Sequence, residues 1–358
     1  MPRPLPTPSD SELAHSAQLQ QLICNEIDAN GPMTLARYME MALYQPGLGY
    51  YRSGSQKFGV GGDFITAPEL SSLFARCLAK RCCDVFDTVG QAIFEIGAGS
   101  GALACDMMRE FESRGQLPEC YVILELSAEL AQRQRDLVQT QLPHLSDRFE
   151  WLQAWPEQPF NGVVIANELF DAMPVHRFIM KESLQECFVT HDNGQLRWQV
   201  SAPSTDRLGA QLNAYDMTFA AGYDSEINLL IYPWFEGLAS AIGKAHFIFI
   251  DYGYKREALY HPERSMGTLM CHLQHQAHDD PLMYPGIQDI TTHVDFTLLA
   301  EAAIKQGFDV IDLSTQAQFL MAQGVTELAS GQQEIQQLKQ LLLPGQMGES
   351  FKVLELCV

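Results

Sequence analysis

Ala92-Ile93-Phe94-Glu95-Ile96-Gly97-Ala98-Gly99-Ser100-Gly101 decides the fold of this 358-residue chain. Its first half is a short apolar run with β-branched and aromatic members, the pattern of a strand buried on both faces of a parallel sheet. Three alternate glycines follow, and then a helical segment from Ala102 to Arg114. A strand that passes through a glycine-rich turn into a helix is how α/β domains hold a nucleotide-like ligand. Glycine permits close backbone approach, and the unpaired N–H groups of the helix start face the ligand.

Composition narrows the partners. Lys and Arg total 23 against 44 Asp and Glu, a net charge of −21. Such a surface repels phosphate backbones and anionic lipid, so nucleic acid and membrane insertion are not expected, while a basic protein segment is favoured. Nine cysteines are scattered through a chain with no readable signal or transmembrane segment. Reduced, buried thiols and a cytoplasmic protein are therefore expected.

Outward from the glycine stretch, strand and helix signals alternate, which implies a parallel sheet covered on both faces. Expected strands are Ile93–Ile96, Tyr121–Glu125, Phe149–Leu152, Gly162–Ala166, His246–Asp251, Phe308–Leu313 and Phe351–Cys357. Upstream, Ser9 and Glu12 form a capping box for a first helix, and Thr34 caps a second. Residues 52–63 read as a mobile glycine-rich loop, with Gly61-Gly62 suited to a lid. From Pro68, an apolar stripe through Leu73, Phe74, Cys77, Leu78, Val85 and Phe86 marks a third helix. Residues 175–200 read as antiparallel strands turning at His191-Asp192-Asn193-Gly194, and 227–242 as a helix. Residues 252–296 read as an irregular, His- and Pro-rich insertion.

The glycines alone leave two readings. Gly97-x-Gly99-x-x-Ala102 fits a dinucleotide loop, whereas Glu95-x-Gly97-x-Gly99-x-Gly101 fits the first motif of S-adenosylmethionine (SAM) methyltransferases. Four further stretches bear on the choice: Gly62-Asp63-Phe64-Ile65-Thr66-Ala67-Pro68-Glu69; Asn167-Glu168-Leu169-Phe170-Asp171-Ala172-Met173-Pro174-Val175; Gly267-Thr268-Leu269 before Cys271-His272; and Gln288-Asp289-Ile290-Thr291-Thr292-His293-Val294-Asp295-Phe296. Together, in this order from about Met41 onward, they resemble the MidA-like SAM-dependent methyltransferases. That family includes a mitochondrial complex I assembly factor that is a protein arginine methyltransferase. The resemblance implies an α/β, Rossmann-like class I methyltransferase fold, a seven-stranded sheet with a reversed last strand. It also implies an N-terminal helical region over 9–88 and a core over 89–358, interrupted by the hairpin and the insertion. The implied activity is protein arginine N-methylation, with a respiratory complex I subunit as the implied client. An NAD-dependent oxidoreductase and a SAM-binding assembly chaperone without activity are the alternatives.

Each candidate residue has a chemical reason. Gly97, Gly99 and Gly101 let the backbone approach the cofactor, and Glu95 is placed to receive its ammonium group. Glu125, ending the second strand, accepts ribose hydroxyls or simply sits at a helix start. Thr66 either touches the cofactor or caps a helix. Asn167-Glu168 and Asp171 leave the fourth strand on the side of the sheet where ligands bind. Arginine's pKa above about 12 brings it to a site as a cation, so a carboxylate must align it. Glu168 is the first choice, Asp171 the second, and Asn167 serves either ligand. Cys271, His275, Asp289, His293 and Asp295 are expected to line the acceptor pocket, with Asp295 alternatively capping a helix. The spacing of Cys271, His272, His275 and His278 fits no standard zinc pattern, so no metal is expected.

Overall fold

The computed structural model describes residues 5–52 and 66–358. Gly61, Gly62 and the proposed lid loop, apart from Arg52, lie outside the described residues. Ser9 caps helix α1 (Asp10–Asn30) through the full capping box, and Thr34 caps α2 (Leu35–Tyr44). Next come α3 (Ala67–Leu70) and α4 (Ser72–Val89), then strand β1 (Ala92–Ile96), α5 (Ala102–Ser113), β2 (Cys120–Leu124) and α6 (Ala128–Gln141). The remaining strands of the main sheet are β3 (Phe149–Leu152), β4 (Phe160–Asn167), β5 (Ile242–Tyr254), β6 (Asp309–Thr315) and β7 (Phe351–Cys357).

These seven lie in the order β6-β7-β5-β4-β1-β2-β3, and the short strand Val294–Asp295 joins the end of β5 to make an eight-stranded mixed sheet. Strands β1 to β5 pair in parallel, while β7 runs antiparallel to both β5 and β6. The apolar runs are continuous because both faces are covered. Ile93, Ile123, Ile165, Ile248 and Ile250 pack under Leu73, Phe74, Leu78 and Phe86 of α4 and Met107 and Phe111 of α5. On the other face, Phe94, Val122, Val164, Phe247 and Phe249 pack against the helices Ile231–Ala241 and Phe296–Lys305. Each such side chain contributes about 1.5–3 kcal/mol by burial.

A second layer overlies the edge of the sheet where the ligand-facing loops emerge. Strands 176–180, 184–192, 195–201 and 224–227 form an antiparallel sheet that Met33–Thr34 extends. Asn193 and Gly194, at φ 51° and 84°, close its hairpin. Helices α1 and α2 share their core with this sheet and with Cys271 and Ile290 of the insertion.

Two expectations change. The helix expected over 227–242 starts at Ile231, because 224–227 is taken into the antiparallel sheet by pairing with 176–179. The insertion contains a three-stranded sheet, Met270–Leu273, Gln276–His278 and Asp289–Thr291. Its hairpin turns at Gln274 and His275, both with positive φ (45° and 63°), where no glycine advertises a turn.

Gly253 fixes the insertion to the sheet. It pairs with Val294, and a Cβ there would stand 2.2 Å from the Val294 carbonyl oxygen. Gly253→Ala is expected to cost about 1–3 kcal/mol, as overpacked sites do. A denaturant titration with an unchanged midpoint would contradict this close approach.

Candidate active site

The glycine loop stands where the strand pattern put it, at the C-terminal end of β1. Gly97, Gly99 and Gly101 all have positive φ (75°, 53° and 84°), which L side chains adopt only with strain. Gln134 of α6 ties the loop to the next strand end: its Nε2 donates to the Gly99 carbonyl oxygen at 2.9 Å and to Glu125 Oε2 at 3.1 Å. Glu125 is buried and its other oxygen accepts the Ser127 N–H at 2.9 Å. Burial pushes its carboxyl up, against those two hydrogen bonds. Glu95 lies elsewhere. It is buried on the face covered by α4 and α5, where its carboxyl accepts the Tyr121 hydroxyl at 2.8 Å. Burial raises its pKa to about 7, with the hydrogen bond from Tyr121 opposing.

Strand β4 ends in the turn Asn167–Asp171. Glu168 occupies the left-handed region at φ 52°, a conformation that costs about 1–2 kcal/mol for a residue with a Cβ. Its Oε1 accepts Asn167 Nδ2 at 3.2 Å, and its carboxyl also accepts the Ala67 N–H at the start of α3. Burial and then the charge of Asp171 raise Glu168 to about 8, and Asp289 pushes the same way. Asp171 is raised to about 6, mainly by burial, and the Tyr252 hydroxyl donates to it. Two acceptor atoms here, Asn167 Oδ1 and Asp171 Oδ1, are buried with no hydrogen-bond partner among the described residues.

Residues without a forecast role complete the wall. The Tyr51 hydroxyl donates to Asp289 Oδ1 at 2.9 Å, the Tyr44 hydroxyl to the Ala172 carbonyl at 2.9 Å, and the two rings stack at 5.6 Å. Tyr44 feels the charges of Glu125, Asp171 and Asp289 together, so it stands between the loop side and the acid cluster. Nothing about a tyrosine that ends a helix and another just past the following turn signals this in sequence. Asp251 is different: it ends an apolar strand run just as Glu125 does, and that signal was readable.

The insertion residues divide. Asp289 joins the acid cluster. His293 sits edge-on to Tyr252 and Tyr254 (5.4 and 5.2 Å), with Nδ1 buried and without a partner among the described residues. Burial lowers it to about 4, so its imidazole is neutral near pH 7. Asp295 caps the helix Phe296–Lys305 and pairs with Arg256 at 3.2 Å. Cys271 is a fully buried strand residue, and His275 is exposed at the hairpin turn. The motif Gly267-Thr268-Leu269 wraps the buried Glu226 carboxylate, which accepts the Thr268 N–H at 2.9 Å. Thr66, buried at the start of α3, makes no capping hydrogen bond with its side chain.

The edge thus has a glycine loop, an acceptor-only carboxylate one strand away and a neighbouring acid cluster, the furniture of an α/β group-transfer enzyme. The chain belongs to the S-adenosyl-L-methionine-dependent methyltransferases: the model of that family matches residues 77–314. It is 30% identical to the mitochondrial protein arginine methyltransferase NDUFAF7 of Danio rerio, over 92% of this chain and 84% of that protein. The human NDUFAF7 is 28% identical over 91% and 80%. A Burkholderia thailandensis protein crystallised with S-adenosyl-homocysteine is 36% identical, with a TM-score of 0.94 over 99% of this chain and 95% of that one. The fold is accordingly the α/β methyltransferase fold and the cofactor is SAM. The alternative of an NAD-dependent oxidoreductase falls away with this family membership.

The donor set fits SAM. Glu125 offers only acceptor capacity, suited to ribose hydroxyls, and the three positive-φ glycines leave the loop without side-chain bulk. One expectation is corrected. The cytoplasmic placement conflicts with the relatives, which are named as mitochondrial proteins. Scattered cysteines and acidic charge say nothing of an address.

Proposed function

We propose that the chain methylates arginine nitrogen in a protein substrate, with Glu168 and Asp171 as the residues that receive the guanidinium. The observation that carries this is the acid cluster with two acceptors, Asn167 Oδ1 and Asp171 Oδ1, that have no partner among the described residues, beside the glycine loop. The donors in the cluster are already engaged with its own oxygens, and the atoms left over among the described residues are acceptors, which calls for a donor-rich cation; a planar guanidinium presents five N–H groups. The relatives named as protein arginine methyltransferases support the same choice.

SAM, when bound, supplies an activated methyl group. The chain's own work is alignment. Glycines 97, 99 and 101 and Glu125 hold the cofactor side, while Glu168 pairs with the guanidinium and fixes which nitrogen faces the loop. A carboxyl raised to about 8 is also suited to keep the proton that the nitrogen gives up, at Glu168 Oε2. Glu95 acts in this reading through the strand beneath the loop, and Thr66, Asp289 and His293 line the space. His275, Cys271 and Asp295 are assigned supporting places in the insertion. The seven-stranded class I arrangement with its reversed last strand belongs to this reading, supported by the antiparallel β7. So does the division into a helical region over 9–88 and a core over 89–358.

Labelled SAM and a cell extract test the proposal. Label is expected on arginine in one or a few basic proteins, and the net charge of −21 favours such clients. Label confined to a small metabolite would refute it. A respiratory complex I subunit among the labelled bands is the finer expectation, and it rests on the family resemblance.

A further inference from the structure

Asp251 is fully buried at the end of the apolar run in β5, and the proposed chemistry does not use it. Its carboxylate is nonetheless the most heavily bonded in the region. Oδ2 accepts three consecutive backbone N–H groups, from Leu169 at 3.1 Å, Phe170 at 2.9 Å and Asp171 at 3.3 Å. Oδ1 accepts the N–H of Tyr252 at 2.9 Å. Three successive amides aimed at one oxygen form a nest, a concavity that exists only if the chain curls tightly. The curl starts at Glu168, whose own N–H donates to the Ile250 carbonyl at 2.9 Å and whose backbone is left-handed.

Without an acceptor at its centre, the nest would leave three amides unpaired inside the protein, and the turn would open to find other partners. Opening returns Glu168 to an ordinary backbone region and swings its carboxyl away from Asn167 and the Ala67 N–H. Asp251 touches none of the candidate ligand-binding atoms; it acts on Glu168 and Asp171 through the turn and through the repulsion between their buried carboxyl groups.

We infer that Asp251 is a positioning residue: its carboxylate organises the Asn167–Asp171 turn so that the Glu168 and Asp171 carboxyl groups converge on the methyl acceptor. The inference rests on the acceptor role proposed for Glu168, and it assigns strand β5 a part in the reaction through the backbone of its neighbour, β4. Tyr252 extends the arrangement, since its N–H is held by the same carboxylate and its hydroxyl by Asp171.

The test compares Asp251→Ala and Asp251→Asn with the wild type, on whichever acceptor the wild type labels. S-adenosyl-homocysteine affinity and amide hydrogen exchange at 169–171 are followed alongside. Asp251→Ala is expected to lower kcat about a hundredfold, the scale of an ångström-level misplacement, with S-adenosyl-homocysteine affinity kept within twofold and faster exchange at the three amides. Asp251→Asn keeps an acceptor oxygen for the nest and is expected to restore kcat to within about tenfold of wild type. If Asp251→Ala does not fold, Asp251→Asn decides alone, through a partial loss of kcat of about two- to tenfold with S-adenosyl-homocysteine affinity unchanged, because its single amide oxygen cannot serve both the nest and the Tyr252 N–H. A reduced kcat with unchanged S-adenosyl-homocysteine affinity supports the inference. An unchanged kcat, or a loss in step with that affinity, overturns it, as does exchange at 169–171 unaffected by Asp251→Ala. Failure of the underlying reading is seen separately, as wild-type label on something other than arginine.

Discussion

Glu168→Gln is expected to abolish most methyl transfer while leaving SAM affinity near the wild-type value. The amide has the carboxylate's shape, so packing against Asn167 and the Ala67 N–H survives. It cannot take the negative charge that pairs with a guanidinium, nor accept a proton. Loss of an acid–base group of this kind costs about 10²- to 10⁴-fold in rate. The pH dependence carries the same signature. Burial and the Asp171 charge place Glu168 at about 8, so the active anion is the minority form at pH 7. Wild-type kcat/KM is expected to rise with pH through about 8 and to fall on the acid side. Glu168→Gln should flatten that limb. Bound acceptor, being cationic, stabilises the anion, so the kcat limb should lie at lower pH than the kcat/KM limb. A full-activity glutamine variant, or a limb that it does not move, would remove Glu168 from the chemistry.

The same shift has a stability consequence. The folded pKa lies above the ordinary value of 4.5, so the folded state binds the proton more tightly than the unfolded chain. That contribution is complete below pH 4.5 and is lost as pH rises through about 8. Glu168→Gln should therefore gain relative stability over the wild type as pH climbs across this window. The strain and the charge repulsion concentrated at this turn are the kind that functional sites retain.

Gly99→Val is expected to reduce S-adenosyl-homocysteine affinity by about 10- to 100-fold. Gly99 has φ 53°, and a β-branched residue is poorly tolerated there. Its carbonyl also anchors Gln134, which in turn holds Glu125. Displacing the loop thus disturbs the glycine cradle and the carboxylate one strand away. An overpacked site costs about 1–3 kcal/mol, and 1.4 kcal/mol is tenfold in affinity. Calorimetric titration of the variant decides the matter. Undiminished affinity would mean that the ligand does not approach the loop at Gly99.

Much of the architecture was legible because local rules and tertiary environment agree. Ser9 and Glu12 cap α1 as their spacing demands, and the apolar runs of β1, β2, β4 and β5 read as strands buried on both faces because they are. Where local signals are weak, tertiary pairing overrides them. Ile227, the last residue of strand 224–227, looked like the start of a helix, since its partner His176 is distant in sequence. The insertion hairpin turns on Gln274 and His275 without a glycine, so no turn residue marked it.

At the site, the sequence determined by itself which atoms lie at the ends of which strands. Alternating glycines after an apolar run, an acid ending the next run and Asn167-Glu168 ending a third all follow from strand periodicity and the rule that ligands gather at the C-terminal edge. Only the tertiary structure decided what each side chain does there. It turned Glu95 into the core toward Tyr121, gave Asp295 to a helix cap, and brought Tyr44, Tyr51 and Asp289 from opposite ends of the chain to one wall. Burial and charge proximity are set by packing that brings separate stretches of chain together, as it brings Asp251 to amides 80 to 82 residues before it. A raised carboxyl at Glu168 and a three-amide nest on Asp251 therefore have no counterpart in the order of residues alone.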